Sequence, residues 1–149
     1  MLQNIAKCSL HRKIWGDFSK QKIAWAILSR ISKKDFYNFP RFTLVDKDMY
    51  VVASASFFSG SNLDKIVHIL NSEYSAYYFF KTVSTLDSGG MQMGIQYVEN
   101  ALIPTAILKD DLTVNNVNQK IYEAFNLNYI EINFIKEYLN QKKKEIENR

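Results

Sequence analysis

The spacing of apolar residues changes period near residue 60, and that change limits the fold more than any motif does. Before it, Ile23, Trp25 and Ile27 occupy every second position, the period of a strand with one buried face. After it, Leu63, Ile66, Val67 and Leu70 recur at three- and four-residue steps, the stripe of a helix lying on a core. A chain that holds the two periods in separate stretches is neither all-helical nor all-strand. The expectation is an α+β domain: a small strand-rich part, a central helix pair and a C-terminal helical hairpin.

Local punctuation refines this. Residues 36–39 read as a continuation of the first strand beyond a charged turn at Lys33, Lys34 and Asp35. Residues 42–45 and 49–53 read as a hairpin turned at Asp46, Lys47 and Asp48, with residues 54–60 a small-residue loop. Ser61 or Asn62 offers a cap to the first helix and Ser72 to the second. The second helix carries Tyr74, Tyr77, Tyr78, Phe79 and Phe80, too aromatic all round for a surface helix. Ser88, Gly89 and Gly90 read as a loop, since paired glycines disfavour the interior of either element. Residues 91–103 hold a strand or a short helix ending at Pro104, and 105–108 read as a short edge strand. From Thr113 a stripe of Val117, Ile121, Ala124 and Phe125 predicts a helix. Asn128 three residues before Glu131 resembles a capping box, and Ile132, Ile135 and Leu139 form the next stripe, ending in a frayed tail at Lys142, Lys143 and Lys144. The expected organisation is a domain over 1–112 and a helical extension over 113–149.

Hydrophobic residues make up 47% and charged residues 23% of the 149, enough to build a core. No run of about 18 apolar residues is present, so no membrane span is expected. The first residues lack an apolar signal core, and a lone cysteine, Cys8, forms no internal disulfide, which suits a reducing cytoplasm. The net charge of +4 is uneven: +6 over residues 1–60, −3 over 61–112 and +1 over 113–149. A basic first segment beside an acidic middle suggests one face for a polyanion; a solvated basic surface is the alternative.

Several chemistries find no pattern here. Pro40 and Pro104 are the two prolines, so the Pro-Pro motif that holds the target amine in amino-methyltransferases is missing. No G-x-G-x-x-G follows a strand and no P-loop occurs, so nucleotide cradles are not expected. Cys8 and His11 make a lone pair, short of the four ligands of a structural zinc site. No serine stands in a nucleophile-elbow context, and Asp46 and Asp48 belong to a turn.

An ordered series of short motifs does carry a resemblance. It runs from Arg12 and Trp15 through Lys22–Ile23, Tyr50–Val51–Val52, Ile69–Leu70–Asn71–Ser72, Ser88–Gly89–Gly90 with Gln92, to Leu102–Ile103–Pro104. This series, over about residues 11–139, resembles the TaqI-like C-terminal specificity domain of type II restriction-modification adenine-specific DNA methyltransferases. Gln21 departs from the proline common ahead of the Lys-Ile pair. The same arrangement occurs in specificity subunits of type I systems.

The resemblance implies a DNA-binding target-recognition module, not itself catalytic. It would be part of an N6-adenine methyltransferase or a fused restriction endonuclease-methyltransferase. No cofactor is expected in this chain; S-adenosylmethionine, with magnesium as a further option, would sit in the partner catalytic domains. Partners would be double-stranded DNA and a methyltransferase or nuclease domain or subunit. Lys22, Arg30, Lys33, Lys34 and Arg41 are the expected phosphate contacts, with Arg12 and Lys13 in reserve, since each long cation neutralises one phosphate. Ser88, Gly89, Gly90, Gln92 and Gln96 are the expected base readers: glycines let the backbone approach and a glutamine amide pairs with adenine. Ser59, Ser61 and Asn62 form a second loop whose competing role is helix capping. Surface charge and an ordinary solvated loop are the plain alternatives for these residues. A protein-interaction remnant is a further reading, docking on a methyltransferase subunit through the apolar faces of residues 117–125 and 132–139.

Overall fold

The computed structural model describes residues 19–32, 36–86 and 89–148. The architecture is α+β. Strand β1 (Lys22–Ala26) is the centre of an antiparallel sheet, flanked by β3 (Thr43–Val45) and β4 (Ala55–Ser59) in the order β3-β1-β4. Between β1 and β3 lies β2 (Leu28–Arg30), which leaves that sheet and pairs with β5 (Gly90–Gln92) in a second, two-stranded one. One extended segment therefore serves two sheets, turning at Ile27.

Central position explains why β1 reads KIAWA with four consecutive buried residues and no polar face. Trp25 stands opposite Ser56, and a small residue there leaves room for the indole, which also meets Phe42 and Phe58 at 5.6 and 6.1 Å. The second strand of the expected hairpin is displaced for this reason. The β-branched residues 51–52 are outside the ladder, Val52 being exposed, while the small-residue run expected as a loop forms β4. Residues 42–45 and 55–59 do not pair with each other; each pairs with β1.

Helix α1 (Leu63–Leu70) buries Leu63, Ile66, Ile69 and Leu70 as its spacing requires. It starts without a side-chain cap: Asn62 is left-handed at φ 55° and its carbonyl receives Lys65 and Ile66. Helix α2 (Glu73–Thr82) follows almost at once, and Ser72 Oγ accepts from the Ser75 amide at 3.2 Å. Its aromatic girdle has a simple cause, because neighbours surround it. Phe79 and Phe80 meet Phe42, Phe36 and Phe39. Tyr74 meets Phe125, and Tyr77 meets Phe134 and Tyr138. Phe79 is buried in the core, and Tyr74, Tyr78 and Phe80 pack against it partly buried.

The remaining elements are α3 (Ile95–Glu99), α4 (Val117–Ala124) and α5 (Tyr129–Glu147). Asn128 and Glu131 form the reciprocal capping box that their spacing predicts. Helix α5 runs on through the lysine-rich stretch to Glu147, with Lys142 bonded to Glu145 at 2.8 Å and Ile146 resting on the core. Two expected strands are 3-10 turns, Phe36–Asn38 and Thr105–Lys109. In the latter the Ile107 amide reaches the Pro104 carbonyl at 3.3 Å, so the backbone finds a partner without a neighbouring strand.

The core is continuous. Ile23, Leu70, Phe79, Met91, Leu112, Val117 and Ile121 belong to one buried cluster, which draws on residues from both sides of the expected 112/113 boundary. Truncating the fully buried Ile69, Leu70 or Phe79 to alanine costs about 2–5 kcal/mol each. No helix among the described residues is long and apolar enough to cross a membrane.

Candidate functional site

The pairing of β2 with β5 makes a short ribbon with one inward and one outward face. Register sets Leu28 opposite Gln92, Ser29 opposite Met91 and Arg30 opposite Gly90. Side chains alternate across a strand, so Met91 points inward, at 1% exposure, while Leu28 (59% exposed), Arg30 and Gln92 stand on the outward face. On the far edge of β5 the chain doubles back. The Leu86 amide donates to Gly90 O at 2.7 Å, the Gln92 amide to Ser84 O at 3.3 Å, and Thr85 bridges Met91. Gly89 takes a left-handed φ of 79° in this turn, a conformation that favours glycine.

At the middle of the outward face Gly90 is itself buried, so its backbone does not offer the close approach expected from the sequence. A Cβ placed on Gly90 would lie 3.7 Å from the Cδ1 atoms of both Leu28 and Leu86. Two leucines thus flank a position with no side chain, and Arg30 and Gln92 project beside them. Neither the Arg30 nor the Gln92 side chain forms a hydrogen bond or ion pair among the described residues. The ribbon is firmly held from behind. Trp25 Nε1 donates to Met93 O at 2.8 Å, and the Met93 amide donates to Ile27 O at 2.6 Å. A surface tied in this way keeps its geometry when it meets a ligand.

The expected site residues separate into groups. Arg30, Gly90 and Gln92 come together on this ribbon, from sequence positions about sixty residues apart, and Gly89 shapes its turn. Gln96 is exposed in the first turn of α3, with its amide folded so closely over Gly94 that a Cβ there would collide with it. Arg41 is exposed on another segment, next to Phe42. Lys22 is a correction. It has no exposed surface, and its Nζ donates to Asp46 O at 3.1 Å and Met49 O at 3.0 Å. An ammonium enclosed by the protein and bonded to two carbonyls is a structural clamp on the 46–49 turn, not a phosphate contact. Lys33, Lys34 and Ser88, with Arg12 and Lys13, lie outside the described residues.

Leu28 is the member of this face that the sequence reading missed. The available signal was its place directly after Ile27, where a second apolar residue breaks the strand alternation. Asn71 is the other. Its Oδ1 accepts from the Phe42 amide at 2.9 Å and its Nδ2 donates to the Phe42 carbonyl at 2.8 Å. The side-chain amide thereby satisfies both backbone groups of a residue 29 positions away.

Two further surfaces lie apart from the ribbon. An open groove of about 830 Å³ runs between the 36–44 segment and α5, floored by Phe39 and Phe80 and rimmed by His68, Lys136 and Lys143. The apolar faces expected for docking on the C-terminal helices face inward instead: Val117, Ile121 and Ile135 are buried. What α5 leaves exposed is Tyr129, Ile130 and Phe134. Among the described residues no cluster of three or more His, Cys, Asp or Glu could hold a metal ion. Comparisons with protein-family models, curated proteins and solved structures gave no match.

Proposed function

We propose that this chain reads DNA, as the sequence-specific, non-catalytic module of an adenine-specific restriction-modification enzyme in the cytoplasm. Methyl transfer and any cleavage would take place on a partner domain or subunit. The observation that carries the reading is the β2–β5 register. It joins an arginine and a glutamine, each expected from sequence to touch DNA, on the exposed face of a two-stranded ribbon. A two-stranded β-ribbon is one of the elements that read bases in the major groove, and here residues 84–86 flank the outer edge of β5. Arg30 supplies the cation and Gln92 the donor-acceptor amide.

The test is duplex binding by the full chain across a salt titration. Affinity should fall steeply with salt, because each cation–phosphate contact releases counterions. If Arg30 meets a phosphate, Arg30→Ala should weaken binding to all sequences alike and lower the salt slope by about one. Salt-independent affinity, or an unchanged Arg30→Ala variant, would remove the ribbon from the interface.

Exposed Tyr129, Ile130 and Phe134 favour a second reading, docking on a methyltransferase subunit through α5. Truncation after Leu112 is no test of it, since that cut removes Val117 and Ile121 from the core. Ile130→Asp with Phe134→Asp keeps the core, and should abolish co-purification with such a subunit. Retained co-purification contradicts docking through α5.

A further inference from the structure

We infer that Leu28 and Gln92 act together as the reader of a single A·T base pair, Gln92 on the adenine and Leu28 on the thymine methyl. The inference rests on the DNA-reading function proposed above and assigns it a base. Leu28 and Gln92 are directly opposite in register, so their Cβ atoms are about 4.5–5.5 Å apart. Both are exposed on the same face. A leucine left 59% exposed beside a glutamine amide makes a surface that is half apolar and half donor-acceptor.

The major-groove edges of the base pairs decide what fits that surface. Adenine offers N7 as acceptor and N6 as donor, matching the two ends of a glutamine amide, and its partner thymine offers a methyl group. A G·C pair offers neither the methyl nor that donor-acceptor order. With the amide on one strand of the ribbon and the apolar group on the other, A·T and T·A are also distinguished by orientation.

The same geometry sets a spacing. Arg30 lies two residues beyond Leu28 on the same face, about 6.8 Å at the rise of an antiparallel strand. Base pairs stack at about 3.4 Å, so a ribbon lying along the groove places Arg30 about two base pairs from the A·T step. There its guanidinium meets either the O6 and N7 of a guanine or the adjoining phosphate.

A randomised duplex library selected on the full chain tests this. The parent should select A·T at one position, and Gln92→Glu should redirect that position alone toward cytosine, whose N4 donates to a carboxylate. Gln92→Ala should flatten the preference there by about ten-fold and leave other positions unchanged. Uracil in place of that thymine removes one methyl, and should weaken the parent about three-fold and Leu28→Ala not at all. If sequence-specific binding persists in Gln92→Ala with every preference intact, or weakens uniformly, the pairwise reader is wrong while DNA reading stands. A Leu28→Ala variant that still discriminates uracil from thymine likewise removes Leu28. No duplex affinity in the parent ends both.

Discussion

Replacing Lys22 with methionine separates the two roles that residue has been given. Methionine fills nearly the same stem volume but has no ammonium. In the folded chain that ammonium donates to Asp46 O at 3.1 Å and Met49 O at 3.0 Å from a residue without exposed surface. Hydrogen bonds to a charged group contribute about 1.5–3 kcal/mol each, and the stranded carbonyls are partly wet, so the loss should be about 2–4 kcal/mol. A chain of this length loses about 3 °C of Tm per kcal/mol, which puts the variant about 6–12 °C below the parent. Equilibrium urea unfolding and thermal melting followed by circular dichroism both read the change. Limited proteolysis should find the first new cuts between residues 46 and 54, where the clamp is lost. A variant that melts within a degree or two of the parent, yet binds duplex DNA with a lower salt slope, would refute the structural role. It would restore the phosphate contact that the sequence suggested.

Two further predictions follow from the central helix pair. Asn71→Ala removes the 2.9 and 2.8 Å bonds to both backbone groups of Phe42, so unfolding experiments should show a loss of about 2–3 kcal/mol; Asn71→Asp, which keeps an acceptor but no donor, should recover only part of it, and full recovery would contradict the two-bond account. Tyr122 bears on alkaline stability. Its hydroxyl ionises above the ordinary tyrosine range because of burial first, and then the 2.7 Å bond to Glu73 and that residue's charge. Burial also raises Tyr74 and Tyr78. A pKa raised by folding contributes stability that is complete below the unfolded value near 10 and is lost as pH climbs through the folded one. Tyr122→Phe should therefore lose about 1 kcal/mol at neutral pH and show a shallower decline in urea midpoint above pH 10; an undiminished decline would assign the alkaline sensitivity elsewhere.

How much of this fold can be read from the sequence depends on where each segment finds its partners. The helices were legible because their determinants are local: Leu63, Ile66 and Leu70 define a face by spacing alone, and Asn128 with Glu131 closes a box within one turn. Strand placement was less legible. Residues 49–53 have the β-branched composition of a strand and 55–59 do not, yet the ladder forms at 55–59. Ser56 fits across from Trp25, and Lys22 diverts the 46–49 backbone into a turn. Both causes are contacts more than twenty residues apart, invisible to any local pattern. The 3-10 turns at Phe36–Asn38 and Thr105–Lys109 were missed because a short apolar run looks the same in either state.

The candidate site shows the same limit in sharper form. Composition singled out Lys22 and Arg30 equally, as cations flanking one apolar run. Register then separates them: Lys22 opens the central strand of its sheet and is buried there, while Arg30 closes a ribbon strand and is exposed on its outward face. The difference arises at Ile27, where the chain passes from one sheet to the other. Before the bend every residue except Ala26 is buried; after it Leu28 and Arg30 are exposed. That bend is held by the Trp25 indole, which donates to Met93 O, and by the Met93 amide, which donates to Ile27 O. Long-range placement of a strand, rather than the charge of its residues, makes Arg30 the available cation, and the same placement brings Leu28 alongside Gln92.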